Sequence, residues 1–269
     1  MTVSEPDWVP PGVDTKRANP ARVYDYWLGG THNFLADQDV ARAIASIQPG
    51  TRAAIRANRA FLGRAVRFLA AAGIRQFLDI GSGIPTAGNV HEIAQQEAPE
   101  SRVVYVDVDP VAVAHSRAIL AGNQNAIIVD ADLREPEKIL AHEGAGSLID
   151  FSEPVGLLLV AVLHFIADAE DPSRIVAALR AALAPGSYLA ISHATYEGPA
   201  AQAAEKIYNR TVSTEIHSRS RAEILQFFDG MELVEPGVVY TPQWRPDSPS
   251  DVPSDPSRSW GLAGIARKP

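Results

Sequence analysis

An apolar run that ends in an acid and a glycine turn is the feature that most constrains the fold of this chain. Residues 77–85 read FLDIGSGIP, and the segment from Thr86 to Ala94 can begin a helix. A Gly-x-Gly turn lets the backbone approach a ligand because no Cβ stands in the way. Strand, glycine turn and helix in this order are how an open parallel sheet builds a nucleotide site at its carboxyl edge. A purely structural turn has the same local pattern, so this stretch alone leaves both interpretations open.

Composition and charge exclude several functional classes. The 269 residues suit one large α/β domain with an appendage, or at most two domains. The net charge of −8 argues against nucleic acid or an anionic membrane as a partner. The lack of cysteine excludes disulfides and thiolate chemistry. Neither a signal-peptide pattern at the start nor an apolar run long enough to cross a bilayer is present, which predicts a soluble, cytoplasmic protein.

Strand and helix signals alternate from residue 76 onward, which predicts βαβ units and a parallel sheet with helices on both faces. The fold class is therefore α/β. The predicted strands are residues 76–80, 103–107, 126–129, 155–162 and 187–193, followed by an antiparallel hairpin of residues 231–240 and 260–267. Proline-rich residues 241–259 read as a long loop.

The segment before the first strand is predicted to be helical. Residues 1–20 hold four prolines and little apolar periodicity, so they should be flexible. Residues 21–34 combine aromatic and polar side chains with Gly29-Gly30, which suits either a lid over a ligand or a helix that only packs on the domain. Residues 51–72 read as one long helix. Its arginines are mostly expected to be solvated, with Arg59 as a possible partner of a carboxylate.

Two further strands also end in acidic residues. Asp107 ends the second strand, where a carboxylate can accept hydrogen bonds from both hydroxyls of a ribose. Asp130 ends the third strand and could accept from an adenine amino group. Structural alternatives exist nearby, because Asp109-Pro110 also looks like a helix N-cap and Asp130 could cap a turn.

Asp79 and Thr86 bear on the choice of cofactor. A dinucleotide fingerprint would have a third glycine at position 86 and would not need the acid at position 79. The Asp-x-Gly-x-Gly pattern, with acids ending the next two strands, instead resembles the Rossmann-like methyltransferases that depend on S-adenosylmethionine. Asp107 is also placed acceptably for a nicotinamide enzyme, so spacing alone does not settle the choice.

Longer segments narrow this resemblance. They are ARVYDYWLGG at 21–30, NRAF at 58–61, QFLDIGSGIPT at 76–86, NVH at 89–91, ADLREP at 131–136 and VLHFI at 162–166. They resemble the S-adenosyl methyltransferase family, formerly a domain of unknown function, over nearly the whole chain. The resemblance implies a seven-stranded methyltransferase sheet, binding of S-adenosyl-L-methionine and an unidentified acceptor. It brings no assigned catalytic base.

The general methyltransferase pattern, carried onto matching positions, implies a set of cofactor-binding residues. It puts Asp79, Gly81, Ser82 and Gly83 around the methionine part, Asp107 on the ribose, Val108 beside the adenine, Asp132 and Leu133 at the adenine edge, and Ala161 and Val162 beneath the site. Tyr24 and Arg59 from the N-terminal segment complete the predicted set. Many relatives have a third glycine after the Gly-x-Gly pair, whereas this chain has Ile84-Pro85, in which Pro85 stiffens the turn and restricts Ile84.

The histidines offer one weak catalytic candidate and no metal site. None of the seven has the spacing of a metal-binding pair with a third ligand nearby. His164 follows the fourth strand and could act as a base near neutral pH. The alternative is a histidine whose hydrogen bonds are satisfied at the edge of the core. Methyl transfer from a sulfonium can also proceed without a base, through alignment and exclusion of water.

The sequence therefore predicts methyl transfer from S-adenosylmethionine to a small molecule. Two alternatives stay open, a protein that binds the cofactor without transferring methyl and a nicotinamide oxidoreductase. The predicted organisation is a flexible terminus at 1–20, a helical lid at 21–73 and a cofactor-binding domain at 74–269.

The first prediction concerns cofactor choice. In calorimetric titrations the protein should bind S-adenosylmethionine and S-adenosylhomocysteine and should not bind NAD, because Asp79 has no role in a dinucleotide fingerprint. Saturable binding of NAD without binding of S-adenosylmethionine would overturn the assignment.

Overall fold

An eight-stranded sheet runs through the centre of the computed structural model, which describes residues 9–85, 88–195, 199–212 and 214–269. The strands are β1 (Gln76–Ile80), β2 (Arg102–Asp107), β3 (Ala126–Asp130), β4 (Gly156–Val160), β5 (Tyr188–Ala194), β6 (Glu232–Leu233), β7 (Val239–Tyr240) and β8 (Gly261–Arg267). Their order is β3-β2-β1-β4-β5-β8-β6, with β7 also paired to β8. The first five strands are parallel, so the predicted mostly parallel α/β sheet is confirmed.

The order of the strands creates a switch point between β1 and β4. The chain winds outward from β1 to β3 and then returns to place β4 on the other side of β1. Loops that leave β1 and β4 therefore diverge to opposite faces of the sheet, and a crevice forms at the carboxyl ends of these strands. Every residue of β1 is buried. The glycine turn that follows β1 lies at this crevice.

The carboxy-terminal edge differs in detail from the predicted hairpin. Residues 231–240 form two short strands, β6 and β7, rather than one, and both pair antiparallel with β8. A turn separates them, closed by a hydrogen bond from the main-chain nitrogen of Gly237 to the oxygen of Val234. The sheet therefore has eight strands instead of seven, which leaves the predicted fold class unchanged.

Helices cover both faces of the sheet. They are α1 (Pro20–Leu28), α2 (Leu35–Ile47), α3 (Thr51–Ala71), α4 (Val90–Glu97), α5 (Pro110–Ile119), α6 (Pro136–Leu140), α7 (Glu143–Leu148), α8 (Pro172–Ala182), α9 (Pro199–Thr211) and α10 (Arg221–Gln226). Helices α3 and α4 pack on the face that carries Phe77 and Val103. Helices α6, α7, α8 and α10 pack on the face that carries Leu78 and Val104. Within the described ranges, no helix combines the length and the apolar character of a membrane span.

The first two helices form a separate apolar cluster with α9. Val23 and Trp27 of α1 pack with Ile44 of α2 and Tyr208 of α9. Helix α1 begins where the side chain of Asn19 accepts from the main-chain nitrogen of Ala21. The cluster connects the N-terminal helices to the second half of the chain. Helix α2 was not predicted from the sequence.

The long helix α3 is fastened to the proline-rich loop by a buried arginine. The Nε and Nη2 atoms of Arg64 donate to the main-chain oxygens of Trp244 and Thr241, at 2.9 and 2.7 Å. The predicted solvated face holds for the exposed Arg52 and Arg56 and is wrong for Arg64. The loop is correspondingly well anchored, since it holds the fully buried Trp244 and three short 3₁₀ turns.

The lid assigned to residues 21–73 is a prediction that hydrogen exchange can check. Exchange across residues 21–35 should slow when S-adenosylhomocysteine is added, because a closed lid opens less often. The edge strands β6 and β7 serve as the internal control and should not change. If exchange across 21–35 is the same with and without ligand, the segment only packs on the domain.

Candidate cofactor and acceptor site

A cavity of about 270 Å³ lies at the carboxyl ends of β1, β2 and β4, next to α1 and α3. The structure brings all of the predicted site residues to its walls. They are Tyr24, Arg59, Asp79, Gly81, Ser82, Gly83, Asp107, Val108, Asp132, Leu133, Ala161, Val162 and His164. Their roles toward a ligand stay predictions. Thr86 and Ala87, which bear on the dinucleotide alternative and on the start of the following helix, lie outside the described residues, and α4 begins at Val90.

The two glycines of the turn have different reasons to be glycine. Both adopt the left-handed backbone conformation, with φ of +75° at Gly81 and +68° at Gly83. A Cβ on Gly81 would lie 2.2 Å from the side chain of Val162, so the turn packs directly on the loop after β4. A Cβ on Gly83 would meet no protein atom within 4 Å. Gly81 thus closes the turn against its neighbour, and Gly83 leaves its backbone open to the cavity.

Asp107 connects the glycine turn to the loop after β2. One carboxylate oxygen accepts from the main-chain nitrogen of Gly83 at 2.7 Å, and the other accepts from that of Asp109 at 2.9 Å. Burial raises the pKa of Asp107 to about 6, against the effect of these hydrogen bonds. Asp109 caps α5, as the structural alternative for it anticipated. Each carboxylate oxygen has two lone pairs, so Asp107 can accept further hydrogen bonds at the cavity wall.

Asp79 is a buried carboxylate without a hydrogen-bond partner among the described residues. Burial raises its pKa to about 7, the charge of Arg59 opposes this shift and the charge of Asp107 adds to it. Buried polar groups in proteins are almost always paired. An unpaired carboxylate on a cavity wall is therefore a candidate position for a cationic group of a ligand.

Two more buried polar atoms near Asp79 also lack partners. They are Nε of Arg59 and Oγ of Ser82. The Nη2 atom of Arg59 donates to Oδ1 of Asn89 at 3.1 Å, and Arg59 forms no ion pair with the acids that the structure describes. Arg59 and Ser82 can both donate to an anion. Together with Asp79 they leave one end of the cavity able to take a group that carries both charges.

A hydrogen-bond chain joins the N-terminal helices to the cavity edge of the sheet. Nδ2 of Asn58 donates to the hydroxyl of Tyr24 at 2.9 Å, and Oγ of Ser192 donates to Oδ1 of Asn58 at 2.6 Å. Oγ of Ser192 also accepts from the main-chain nitrogen of Ala161 at 3.0 Å. Ala161 has a φ of +58°, which is rare for a residue with a Cβ. Sequence reasoning missed the role of Ser192, because no local pattern links it to Asn58.

Of the two acids at the end of the third strand, Asp132 lies on the cavity wall and Asp130 does not. Asp132 lies on the cavity wall, and its Oδ1 accepts from the main-chain nitrogen of Arg134 at 2.9 Å. The guanidinium of Arg134 lies beside the same carboxylate, at 3.2 Å from Oδ1. Asp130 ends β3, is exposed and does not line the cavity, which favours its structural alternative.

The geometry of His164 does not favour a role as a base. Its Nδ1 accepts from the main-chain nitrogen of Ala194 at 3.3 Å, so the neutral ring carries its proton on Nε2. Burial and the nearby His193 and Arg219 lower the pKa of His164 well below its usual range. The ring is therefore neutral, and its second nitrogen is a donor. His193 is also engaged by the protein, since its Nε2 lies 3.0 Å from Nη1 of Arg219.

The polar residues of the predicted lid divide into two groups. Tyr24 lines the cavity, whereas Asp25 folds the loop after α1. The Oδ2 atom of Asp25 accepts from the main-chain nitrogen of His32 and from Nδ2 of Asn33, at 2.9 and 2.8 Å. A Cβ on Gly30 would collide with this carboxylate. Asp25, His32 and Asn33 therefore build this loop, and none of the three lines the cavity.

Comparison with known proteins settles the family. The S-adenosyl methyltransferase family model matches residues 6–269. The chain belongs to the S-adenosyl methyltransferase family. No curated protein sequence matches it. The family assignment confirms the predicted function, which is methyl transfer that depends on S-adenosylmethionine. The acceptor is unidentified.

Solved structures agree with this assignment. The chain is similar to a candidate methyltransferase from Thermobifida fusca YX, with 45% identity, a TM-score of 0.92 and coverage of 98% of this chain and 99% of that one. It is also similar to a DUF574 family protein from Streptomyces avermitilis MA-4680, with 40% identity, a TM-score of 0.91 and coverage of 95% and 99%. N-methyltransferase NodS from Bradyrhizobium japonicum WM9, crystallised with S-adenosyl-L-homocysteine, shares the fold at 15% identity, a TM-score of 0.51 and coverage of 86% and 97%.

The raised pKa of Asp79 predicts how substitution changes stability with pH. The folded protein keeps Asp79 protonated up to about pH 7, whereas the unfolded chain ionises it near pH 3.8, so its contribution to stability falls as pH rises between these values. Asp79→Asn cannot ionise and should raise the free energy of unfolding of the ligand-free protein at pH 8 by on the order of 1–3 kcal/mol, with little change near pH 4. Chemical denaturation at both pH values measures this.

The exposed Asp130→Asn is the matched control and should change neither value. A destabilised Asp79→Asn protein at pH 8 would contradict the proposed cost of the buried carboxylate.

Proposed function

We propose that this protein transfers the methyl group of S-adenosylmethionine to a small-molecule acceptor held in the same cavity. The observation that carries the proposal is the group of unpaired polar atoms at one end of the cavity, namely the Asp79 carboxylate, Nε of Arg59 and Oγ of Ser82. The methionine part of the cofactor carries an ammonium and a carboxylate. The three unpaired groups match these two charges, with Asp79 toward the ammonium and Arg59 with Ser82 toward the carboxylate.

The rest of the cofactor fits the neighbouring walls. Asp107 offers carboxylate oxygens to the ribose hydroxyls, held in place by the two main-chain nitrogens that it already binds. Val108 is 58% exposed although it is apolar, which suits a residue that covers one face of an adenine ring. Asp132 and Leu133 are proposed for the adenine edge. This arrangement would bring the sulfonium toward Ala161 and Val162 after β4.

Methyl transfer requires the protein mainly to position the cofactor and the acceptor relative to each other. When bound, the cofactor would supply an electrophilic methyl carbon. The acceptor lone pair would form the new bond as the carbon–sulfur bond broke, the electron pair would stay on sulfur, and the acceptor proton would pass to bulk solvent after transfer. The residues of the chain bind, orient and exclude water. Tyr24, Asn58 and Ser192 hold α1 and α3 over the cavity edge of β4 and β5. A general base is not part of this proposal.

The location and partners proposed for the protein are coarser inferences. The lack of cysteine supports a cytoplasmic site of action, because a chain without disulfides does not need an oxidising compartment in order to fold. The net charge of −8 supports a small acceptor rather than a nucleic acid.

Asp107 provides the test of cofactor binding. Asp107→Ala should weaken binding of S-adenosylhomocysteine by about ten- to a hundredfold, because hydrogen bonds to a charged acceptor contribute about 1.5–3 kcal/mol. Calorimetry gives the affinity and thermal melting gives the state of the fold. Asp107→Asn should lie between the parent and Asp107→Ala, because it keeps one acceptor oxygen.

The matched control is Asp130→Ala, an acid that ends the adjacent strand away from the cavity. It should bind as the parent does. An Asp107→Ala protein that melts normally and binds with parental affinity would show that Asp107 does not hold the ribose.

A further inference from the structure

We infer that the acceptor is an uncharged, largely apolar aromatic molecule, an inference that rests on the proposed function and assigns the other half of the same cavity. The acceptor half, as we use the name here, is the wall formed by α1, α2, the first turns of α3, the turn after β4, and α9 with the segment that follows it. Representative members are Trp27, Ile44, Ile55, Phe165, Tyr208 and Ile216.

Charge is divided unevenly between the two halves. The charged residues on the described walls of the cavity are Arg59, Asp79, Asp107, Asp109, Asp132 and Arg134. All of these except Arg59 lie at the end of β1 or β2 or in the loops after β2 and β3, where the cofactor is proposed to lie, and Arg59 lies close enough to Asp79 to affect its pKa. The described wall of the acceptor half contributes no Asp, Glu, Lys or Arg.

An acceptor with a formal charge would therefore lose its hydration without gaining a counter-charge. Burial of an unpaired ion is costly, whereas burial of an apolar surface is favourable. His164 does not change this balance, because its ring is neutral and one of its nitrogens already accepts from Ala194. The wall therefore selects neutral molecules over ions of the same shape.

The shape of the wall favours a ring system. The rings of Phe165 and Tyr208 lie 6.4 Å apart between centroids with an angle of 27° between their planes, so they present roughly parallel faces. Trp27 adds a third aromatic side chain, fixed by a hydrogen bond from its Nε1 to the main-chain oxygen of Ala41 at 3.3 Å. Aromatic walls contact the face or the edge of a ligand ring favourably. Trp27 and Tyr208 are buried, so neither ring exposes much of its surface to solvent.

A pair of matched probes tests the inference. The protein saturated with S-adenosylhomocysteine is titrated by calorimetry with 2-naphthol, which is neutral at pH 7, and with 6-hydroxy-2-naphthoate, which adds one carboxylate to the same rings. We expect 2-naphthol to bind saturably and at least about tenfold more tightly than the naphthoate. Equal or tighter binding of the naphthoate, or binding of neither probe, would overturn the inference.

Ile55 allows the charge of the wall to be changed within the same experiment. It lies on α3, lines the cavity and is only partly buried, so a longer side chain can be accommodated. Ile55→Lys should reverse the preference in favour of 6-hydroxy-2-naphthoate, because it supplies the missing counter-charge. Ile55→Met has a similar length without charge and should keep the preference for 2-naphthol. A parental preference in Ile55→Lys would show that the wall does not select by charge.

Failure of this inference can be distinguished from failure of the proposed function. Titration with S-adenosylhomocysteine alone reports on the cofactor half and precedes the probes. If the cofactor product binds and the probes behave otherwise than expected, only the acceptor class is wrong. If the cofactor product itself does not bind, the proposed function fails first.

Discussion

The burial of two carboxylates at the ends of adjacent parallel strands is the constraint on which the rest of this structure depends. Asp79 lies one residue before the end of β1, and Asp107 ends β2. The parallel pairing of β1 with β2 brings both carboxylates to the same crevice. Burial raises the pKa of each, and each carries a cost in stability that the hydrophobic cores on both faces of the sheet must offset. Such a cost is typical of functional sites, where local rules are broken for a purpose.

Asp107 and Asp79 differ in the hydrogen bonds that they accept, and this difference determines which of them fixes the loops around the cavity. Asp107 receives main-chain nitrogens from two loops and so fixes the glycine turn relative to the start of α5. Asp79 receives no hydrogen bond from the described residues and has only the longer-range attraction of Arg59. One carboxylate therefore shapes the cavity, and the other is left without a hydrogen-bond partner among the described residues. Ile84, in place of a third glycine, anchors the same turn through contacts with Val111 and Ala112.

The sequence predicted the sheet and the gathering of the site because both follow from short-range patterns. Apolar runs that end in Asp or Gly mark the parallel strands, and the carboxyl ends of parallel strands necessarily meet at one edge. Helix α2 was not predicted because its N-cap is Phe34, a residue whose side chain has no acceptor, and the acid of this first turn, Asp37, accepts from the main-chain nitrogen of Phe34. Helices α6 and α7, of five and six residues, are too short to show a period. Arg64 and His164 depend on main-chain groups far along the chain, which no local pattern reveals.

The chain of hydrogen bonds from Tyr24 through Asn58 and Ser192 to Ala161 lies where the charged and the apolar parts of the cavity meet. Its neutral groups can satisfy one another without introducing a formal charge beside the proposed path of the methyl group. The left-handed backbone of Ala161 costs free energy, and the hydrogen bond from its main-chain nitrogen to Ser192 helps to hold it there. The same hydrogen bonds hold α1 and α3 over the sheet and hold the loop after β4. The covering of the cavity and the position of this loop therefore depend on each other. Methyl transfer needs both, since alignment without exclusion of water would leave a reactive sulfonium exposed.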